Sequence, residues 1–415
     1  MNTHSLPDWL TEAPPVVDHD HYGGALYRPD PAKRSLIEPT RFYWRSPSQI
    51  PPREWLYGHH LIRKYVSATI APGGVGKSTL TIADAVAMAS GEALLGTKPH
   101  AALTVWLWNG EDPRDELERR VVAACLHHHI DPSGLGSRLF LDSGRDTPIR
   151  IGSAGPTGPQ IATPVVDALI AAIKDRYIDV LVVDPFVSVH ALSENDNGAM
   201  DAAVKAFALV ADRTGCAIDL VHHSRKLNGA DADIDAARGG SAIAGAVRAA
   251  RVLNVMNKET ADAFGIAEVD RRSFVRVDDA KANLAPASAA GWFRLSGEPL
   301  GNGTPDRPED FVAVAEAWTP PDAMAGIKLD DLVAVQKAIY QQALRESSQA
   351  INWVGHTIGK VLGLSSSANP DKQKIKTAIK TWLGSGALVI EVIHDGRTGR
   401  EVKVVDVGEF ASSTP

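Results

Sequence analysis

Short apolar runs alternate with helical stretches between residues 60 and 300. Residues 180–183 and 217–221 are continuous apolar runs, which is typical of strands buried on both faces of a sheet. Residues 78–90 are rich in Ala and predict a helix directly after a glycine-rich loop. Because strands and helices take turns along the chain, the pattern predicts an α/β domain with a mostly parallel sheet.

The same pattern places the other elements of this domain. Strands are also predicted at residues 65–70, 103–108, 138–141, 251–255, 274–277 and 292–295. Helices are also predicted at residues 164–174 and 202–214, and one is expected to begin at Asp112-Pro113, with Asp112 as its cap, and to reach the His127-His128-His129 cluster. Residues 224–240 have turn-forming and charged residues without a period, which indicates a long loop.

Prolines indicate the limits of the domains. Residues 1–50 contain seven prolines and little apolar periodicity, so an extended arm is predicted there. Proline-rich segments near residues 299–308 and 320–321 predict a linker over residues 301–325, which limits the α/β domain to residues 51–300. Residues 326–415 are predicted to form helices at 329–345, 348–362 and 370–383, followed by strands at 388–393 and 401–405. Three helices followed by a β-hairpin are the outline of a winged-helix-like domain.

The composition is close to that of an average globular protein, with 44% hydrophobic and 22% charged residues among 415. No apolar run reaches eighteen residues, and the two cysteines, Cys125 and Cys216, lie in apolar segments. These features predict a cytoplasmic protein without membrane association. The formal net charge of −7 argues against coating DNA by bulk charge, although a ring with a basic inner channel remains compatible with it.

The strongest chemical signal is the segment A-P-G-G-V-G-K-S at residues 71–78, between a predicted strand and a predicted helix. Glycines allow successive backbone N–H groups to surround a phosphate, and the helix N-terminus adds positive potential. The predicted ATP-binding residues are Pro72, Gly73, Gly74, Val75, Gly76, Lys77, Ser78 and Thr79. Ala71 replaces the first glycine of the motif, at a position that only opens the turn. The alternative interpretation of residues 71–78 is an ordinary glycine-rich turn that binds no phosphate.

Residues 71–78 have the sequence of a P-loop. Two acidic residues are expected at the same sheet edge as this loop. Asp184 ends the apolar run 180–183, where a carboxylate can hold Mg²⁺ together with the Ser78 hydroxyl. Glu111 follows the predicted strand 103–108 and is the candidate general base for the attacking water. The alternatives are a cap of the following turn for Asp184 and a solvated loop acid for Glu111.

A histidine pair, His222-His223, ends the predicted strand 217–221. An imidazole beside the γ-phosphate can sense that group and signal to the loop that follows. His223 is therefore the candidate sensor, although a single histidine also commonly has a structural role.

These parts, in this order, resemble the RecA-like ATPases, and most of all the RepA-type hexameric replicative helicases of plasmids and mobile elements. The motifs that carry the resemblance are A-P-G-G-V-G-K-S (71–78), N-G-E-D (109–112), L-V-V-D (181–184), V-H-H-S (221–224), R-G-G-S (238–241), V-R (247–248) and K-A-N-L-A-P (281–286). The resemblance covers roughly residues 50–300. It implies a RecA-like P-loop core, with Glu111 as the catalytic glutamate and His223 as the γ-phosphate sensor.

The resemblance also implies that catalysis uses two copies of the chain. The arginine finger that enters the neighbouring subunit's site falls on Arg248, and Lys281 lies where related DnaB-like rings carry a lysine acting in trans. Those rings have an arginine two residues later, where this chain has Asn283. A surface ion pair is the alternative for Arg248 and Lys281. The expected assembly is a homo-oligomer, with a hexamer favoured.

Single-stranded DNA is the expected substrate of such a ring, and a replication initiator or a primase is a possible partner. Candidate DNA contacts are basic residues of the loop after His223 and of the C-terminal domain: Arg225, Lys226, Lys374, Lys376, Lys380, Arg397 and Arg400. Charge runs of this kind also occur as solvated faces or protein-docking surfaces. The sequence thus predicts a replicative DNA helicase. An ATPase without unwinding activity and an ATP-gated DNA-binding regulator are the alternatives.

Overall fold

The computed structural model describes residues 39–156, 158–224, 231–234, 240–286, 290–322, 324–396 and 399–411. The chain divides into two compact units, Met1–Glu54 and Trp55–Pro415. The described part of the first unit, residues 39–54, has no assigned helix or strand apart from one 3-10 turn at Pro47–Gln49, which Ser46 caps. The extended arm stays a prediction.

The second unit contains seventeen strands and nine helices among the described residues. The strands are β1 (Trp55–Tyr57), β2 (Leu61–Ile62), β3 (Val66–Ala71), β4 (Val105–Asn109), β5 (Leu139–Ser143), β6 (Gly152–Gly155), β7 (Gly158–Ile161), β8 (Val180–Asp184), β9 (His190–Ala191), β10 (Ala217–His223), β11 (Ala249–Val255), β12 (Phe274–Ala282), β13 (Gly291–Pro299), β14 (Phe311–Ala317), β15 (Leu344–Arg345), β16 (Leu388–Asp395) and β17 (Arg400–Val407). The helices are α1 (Lys77–Ser90), α2 (Arg114–His127), α3 (Thr163–Asp175), α4 (Asn197–Thr214), α5 (Gly240–Ala246), α6 (Lys258–Phe264), α7 (Leu329–Ile339), α8 (Val354–Leu362) and α9 (Asn369–Gly384).

A nine-stranded sheet forms the centre of this unit, in the order β14-β13-β12-β11-β3-β10-β8-β4-β5. The six strands from β11 to β5 are parallel, and β12, β13 and β14 extend the sheet in antiparallel fashion. All five residues of β8 are buried, as the continuous apolar run predicted. The predicted α/β fold with a mostly parallel sheet is confirmed.

Helices cover both faces of the parallel strands and bury their apolar side chains. On one face, α3 and α4 form a core with the sheet around Phe186 and Phe207. On the other face, α1 and α2 pack with Met88 and Leu107 at the centre. Burial on both faces explains why β8 and β10 lack the polar alternation of half-exposed strands. The carboxyl ends of the parallel strands are therefore fixed relative to one another.

The predicted linker is wrong in one respect, because residues 311–317 within it form β14, the edge strand of the sheet. The sequence pattern did not predict this strand, because the proline- and glycine-rich residues 299–308 indicate only the turn between β13 and β14. The sequence also did not predict α5, α6 or the small sheet of β6, β7 and β9. Each of these elements is short and has little periodicity.

The C-terminal part has three helices and a hairpin in the predicted order. α7, α8 and α9 pack around Trp353 and Trp382, and β15 joins β16 and β17 in a sheet ordered β15-β17-β16. The helices α7 and α8 are shorter than predicted, because residues 340–353 form turns and β15 between them. The winged-helix assignment of this part stays a prediction. Among the residues with assigned structure, no helix has the length and apolar character needed to cross a bilayer.

Candidate active site

The P-loop connects β3 to α1 and has the backbone geometry that its glycines permit. Gly74 and Gly76 have φ angles of +76° and +94°, in the left-handed region that disfavours side chains. A Cβ added at Gly76 would also lie 3.1 Å from the Leu295 side chain of β13. Val75 is buried in the core beneath the loop, so only its backbone is available to a ligand. The packing of Val75 in the core therefore stabilises the conformation of this loop.

Lys77 is folded against its own loop. Its Nζ donates to the carbonyl oxygens of Ala71, at 3.2 Å, and Pro72, at 2.9 Å, and lies 3.0 Å from His223 Nδ1. The side chain is only 6% exposed, and burial lowers the pKa of Lys77, while the charges of Asp184 and Glu111 act in the opposite direction. A buried ammonium group that donates hydrogen bonds to two backbone carbonyl oxygens is well suited to an anionic ligand.

Asp184, at the carboxyl end of β8, faces the P-loop. The residue is 3% exposed, and burial raises the pKa of its carboxyl to about 6. A hydrogen bond from Ser78 and the charge of Lys77 partly oppose that increase. A hydroxyl and a carboxylate at hydrogen-bonding distance are the oxygen ligands that Mg²⁺ prefers. Ser78 and Asp184 therefore fit a magnesium ion.

Glu111 lies at the carboxyl end of the neighbouring strand, β4. The Asn109 Oδ1 atom accepts hydrogen bonds from the backbone N–H groups of Glu111, at 2.9 Å, and Asp112, at 2.8 Å. Arg145 donates two hydrogen bonds to the Glu111 carbonyl oxygen, at 2.7 and 3.0 Å. These contacts fix the backbone of Glu111 and leave its carboxylate to line the cleft with Lys77.

The predicted cap function of Asp112 is wrong. Helix α2 begins at Arg114, with Pro113 in the cap position and no side-chain cap. The Asp112 carboxylate instead lies 2.9 Å from Arg120 Nη1, in the second turn of α2. The arginine attracts the carboxylate away from the N-terminal N–H groups of the helix.

The two histidines at the end of β10 have different environments. His223 lines the cleft and contacts Lys77. His222 is fully buried, and its ring centroid lies 5.9 Å from that of Phe186 in the core. Because neighbouring residues of a strand point to opposite faces, only His223 can reach a ligand at the P-loop.

These side chains line a single cleft of about 460 Å³. Its other wall consists of residues that the sequence did not indicate: Glu116, Arg119 and Arg120 of α2, and Asp310, Phe311, Val312 and Ala313 at the start of β14. Arg119 joins the two parts of this wall through an ion pair with Asp310, at 3.3 Å. No sequence motif marks the residues of β14, because the antiparallel extension of the sheet brings them to the P-loop.

A buried polar network lies beneath the P-loop. Arg251 of β11 pairs with Asp84 of α1 at 2.7 Å, approaches Asp219 of β10 at 3.5 Å, and donates to Thr69 of β3 at 2.9 Å. Thr69 in turn donates to Asp219 at 2.8 Å, and His60 lies 3.2 Å from the other oxygen of Asp219. The network links the P-loop helix with three adjacent strands.

Arg248 and Lys281 do not enter this cleft. Arg248 is exposed immediately before β11, and β11 runs parallel to β3 with Ala249 opposite Ser67. The P-loop begins at the other end of β3, four residues further on, which corresponds to about 13 Å. Lys281 donates a hydrogen bond to the Ala244 carbonyl oxygen, and burial and the charge of Arg248 lower the pKa of Lys281. Arg248 and Lys281 are therefore neighbours at the side of the sheet where β3 and β11 begin, opposite the side that carries the P-loop.

The structure describes only some of the predicted DNA-contact residues. Arg225, Lys226 and Arg397 lie outside the described residues. Lys374 donates to the Ala325 carbonyl oxygen at 2.7 Å, which ties this side chain to the segment before α7. Lys376 is half-buried on α9, whereas Lys380 and Arg400 are exposed.

Residues 31–229 match the model of a protein family described as an AAA domain. This range includes the P-loop, Glu111, Asp184 and His223. The comparison supports a P-loop ATPase. Among solved structures, the chain is similar to one described as the crystal structure of the RadB recombinase, with 11% sequence identity and a TM-score of 0.38. That similarity covers 56% of this chain and 88% of the RadB chain.

Proposed function

We propose that the protein is a RecA-like ATPase that hydrolyses ATP with Mg²⁺ and acts as a hexameric replicative helicase on single-stranded DNA. The observation that supports this most directly is the convergence of Lys77, Ser78, Asp184, Glu111 and His223 on one cleft. These residues come from four strand ends of the same parallel sheet edge, where ligands bind in open α/β folds.

The contacts of the cleft suggest functions for four of these side chains. Lys77 would exchange the carbonyl oxygens of Ala71 and Pro72 for phosphate oxygens, which are stronger acceptors. Ser78 and Asp184 would hold Mg²⁺, which neutralises phosphate charge when bound. Glu111 would orient and deprotonate the attacking water, and the proton would move to its carboxylate.

The position of Arg248 supports assembly of several copies. On its own chain this side chain lies at the sheet edge opposite the P-loop, so it can contact a γ-phosphate only in a neighbouring subunit. An arginine supplied in this way stabilises the charge of the transferring phosphoryl group, and hydrolysis then depends on assembly. Lys281 would act beside it.

Two experiments test the proposal. The first measures ATP turnover by the full chain, where Lys77→Ala is expected to abolish activity and Lys174→Ala, at the exposed end of α3, to leave it intact. Retained turnover in Lys77→Ala would overturn the proposed site. The second adds single-stranded DNA and a tailed duplex. DNA-stimulated hydrolysis with strand separation is expected, and stimulation without separation would favour an ATPase that does not unwind.

A further inference from the structure

The cleft contains one exposed aromatic ring among charged side chains. The side at the P-loop is lined by charged and polar side chains, including Lys77, Glu111 and Asp184. The other wall is lined by charged residues of α2, by Asp310 and by the first residues of β14, which include Phe311. Among the described residues that line the cleft, Phe311 contributes the one phenyl ring, and the cleft contains no phenol or indole ring. A nucleoside triphosphate likewise combines a charged triphosphate with a flat aromatic base.

The alternation of β14 directs Phe311 to the P-loop side of the strand. Residues 311, 313 and 315 share one face, because side chains alternate along a strand. At the inner end of this face, Ala315 packs in the cluster that contains Val75 of the P-loop and Leu80 of α1. Val312 and Val314, on the opposite face, pack with Ala123 of α2. Phe311 therefore extends the face that contacts the P-loop.

Contacts with α2 stabilise this wall of the cleft. His128 Nε2 lies 2.8 Å from the Ala315 carbonyl oxygen, and His127 bridges Glu298 and Glu316 at 3.0 and 3.2 Å. The Arg119–Asp310 ion pair connects α2 to the residue immediately before Phe311. A surface that is fixed in advance loses little conformational entropy when a ligand stacks on it.

We infer that Phe311 is the platform on which the adenine base of the bound nucleotide stacks. The inference rests on the proposed function, because it requires the triphosphate to occupy the P-loop. Phe311 is 70% exposed, so a large apolar ring faces solvent beside a cleft that is otherwise mainly polar. Stacking of a base would cover that ring, and base–aromatic stacking tolerates different bases.

Equilibrium binding to the full-length protein tests the inference with two probes, ATP and inorganic tripolyphosphate, which lacks the base. Phe311→Ala is expected to weaken ATP binding about tenfold and to leave tripolyphosphate binding unchanged. Phe311→Tyr is expected to retain ATP affinity, because the ring remains. The matched control is Phe410→Ala, since Phe410 is another exposed phenylalanine and lies outside the cleft.

The outcomes separate this inference from the proposed function. Equal weakening of both probes in Phe311→Ala, or no change in ATP affinity, would overturn the stacking assignment while the P-loop site remains supported. If Lys77→Ala binds both probes as tightly as the unmodified protein, the proposed nucleotide site itself is wrong. Because Phe311 is exposed, its replacement is not expected to unfold the protein, and an unchanged melting temperature verifies this.

Discussion

The guanidinium group of Arg251 lies 2.7 Å from the Asp84 carboxylate, and both side chains are buried beneath the P-loop. Burying charges is costly, and the pair is tolerated because Thr69 and Asp219 also contact the arginine. The pair connects α1, which begins with Lys77, to β11, which begins one residue after Arg248. It therefore joins the P-loop helix to the strand beside the candidate finger.

Removing the arginine is expected to destabilise the fold strongly. Arg251→Met leaves the buried Asp84 carboxylate without its cation, so the free energy of unfolding should fall by about 3–5 kcal/mol. Chemical denaturation measures this value. The matched control is Lys205→Met, which breaks the exposed Lys205–Asp201 pair and should change stability by less than about 1 kcal/mol. Similar losses in both variants would contradict the structural role of Arg251.

The nucleotide-free protein should lose stability as pH rises through the range set by Asp184. Its pKa is raised by burial to about 6 in the folded state, so the folded state favours the protonated carboxyl. The associated stabilisation is present below about pH 4 and is lost as pH rises to about 6. Asp184→Asn should remove this pH dependence, as measured by denaturation at several pH values.

A control variant, and the opposite effects of Asp184→Asn on stability and on ATP turnover, test this prediction further. Asp306→Asn, in an exposed loop, should leave the pH dependence of stability unchanged. Although Asp184→Asn is expected to be more stable than the unmodified protein at neutral pH, it should lose Mg²⁺-dependent ATP turnover, because an amide is a poor substitute for a carboxylate ligand. Equal pH dependence in both variants would exclude Asp184 as its source.

Complementation tests whether Arg248 acts on a neighbouring site. Arg248→Ala should lower ATP turnover roughly 10³-fold and leave nucleotide binding intact, since the side chain does not line its own cleft. Mixed with Glu111→Ala, it should recover activity at interfaces that combine an intact cleft with an intact arginine. Arg213→Ala, at the exposed end of α4, is the control for loss of an arginine. A mixture without recovered activity would argue against a finger in trans.

Gly76 should be intolerant of substitution. Its φ of +94° disfavours any side chain, and a Cβ would approach Leu295 to 3.1 Å. Gly76→Ala is therefore expected to reduce ATP affinity by distorting the loop, with a stability loss of about 1–3 kcal/mol. Gly73→Ala has no neighbouring atom within 4 Å of the added Cβ and serves as the comparison within the same loop. Equal losses of stability in the two variants would refute the steric argument.

The sequence predicted the parallel strands well because burial on both faces produces continuous apolar runs. It also predicted which strand ends carry Lys77, Glu111, Asp184 and His223, since parallel strands bring their carboxyl ends to one edge. Motifs and strand order alone were sufficient to predict that these residues lie at this edge. The motifs do not indicate the contacts between side chains, such as the 3.0 Å approach of Lys77 to His223.

The second wall of the cleft could not be predicted, for a physical reason. Phe311 and Asp310 are about 230 residues from the P-loop, and only the antiparallel addition of β12, β13 and β14 brings them to it. The histidines at the end of α2 gave a weak signal, which the sequence interpretation assigned to the helix end. In the structure His127 and His128 also attach α2 to β13 and β14.

The parallel register of β3 and β11 has a consequence for how copies of the chain can associate. If Arg248 completes a neighbour's site, each subunit offers its cation at one edge of the sheet and accepts one at the other. Two copies related by a twofold axis could satisfy both sites only if Arg248 and the cleft belonged to the same contact surface, since an isologous contact pairs one surface patch with its own copy. If they belong to different surfaces, the contact is head-to-tail and repeats, and it either closes into a ring or continues as a helical filament, depending on the rotation per subunit.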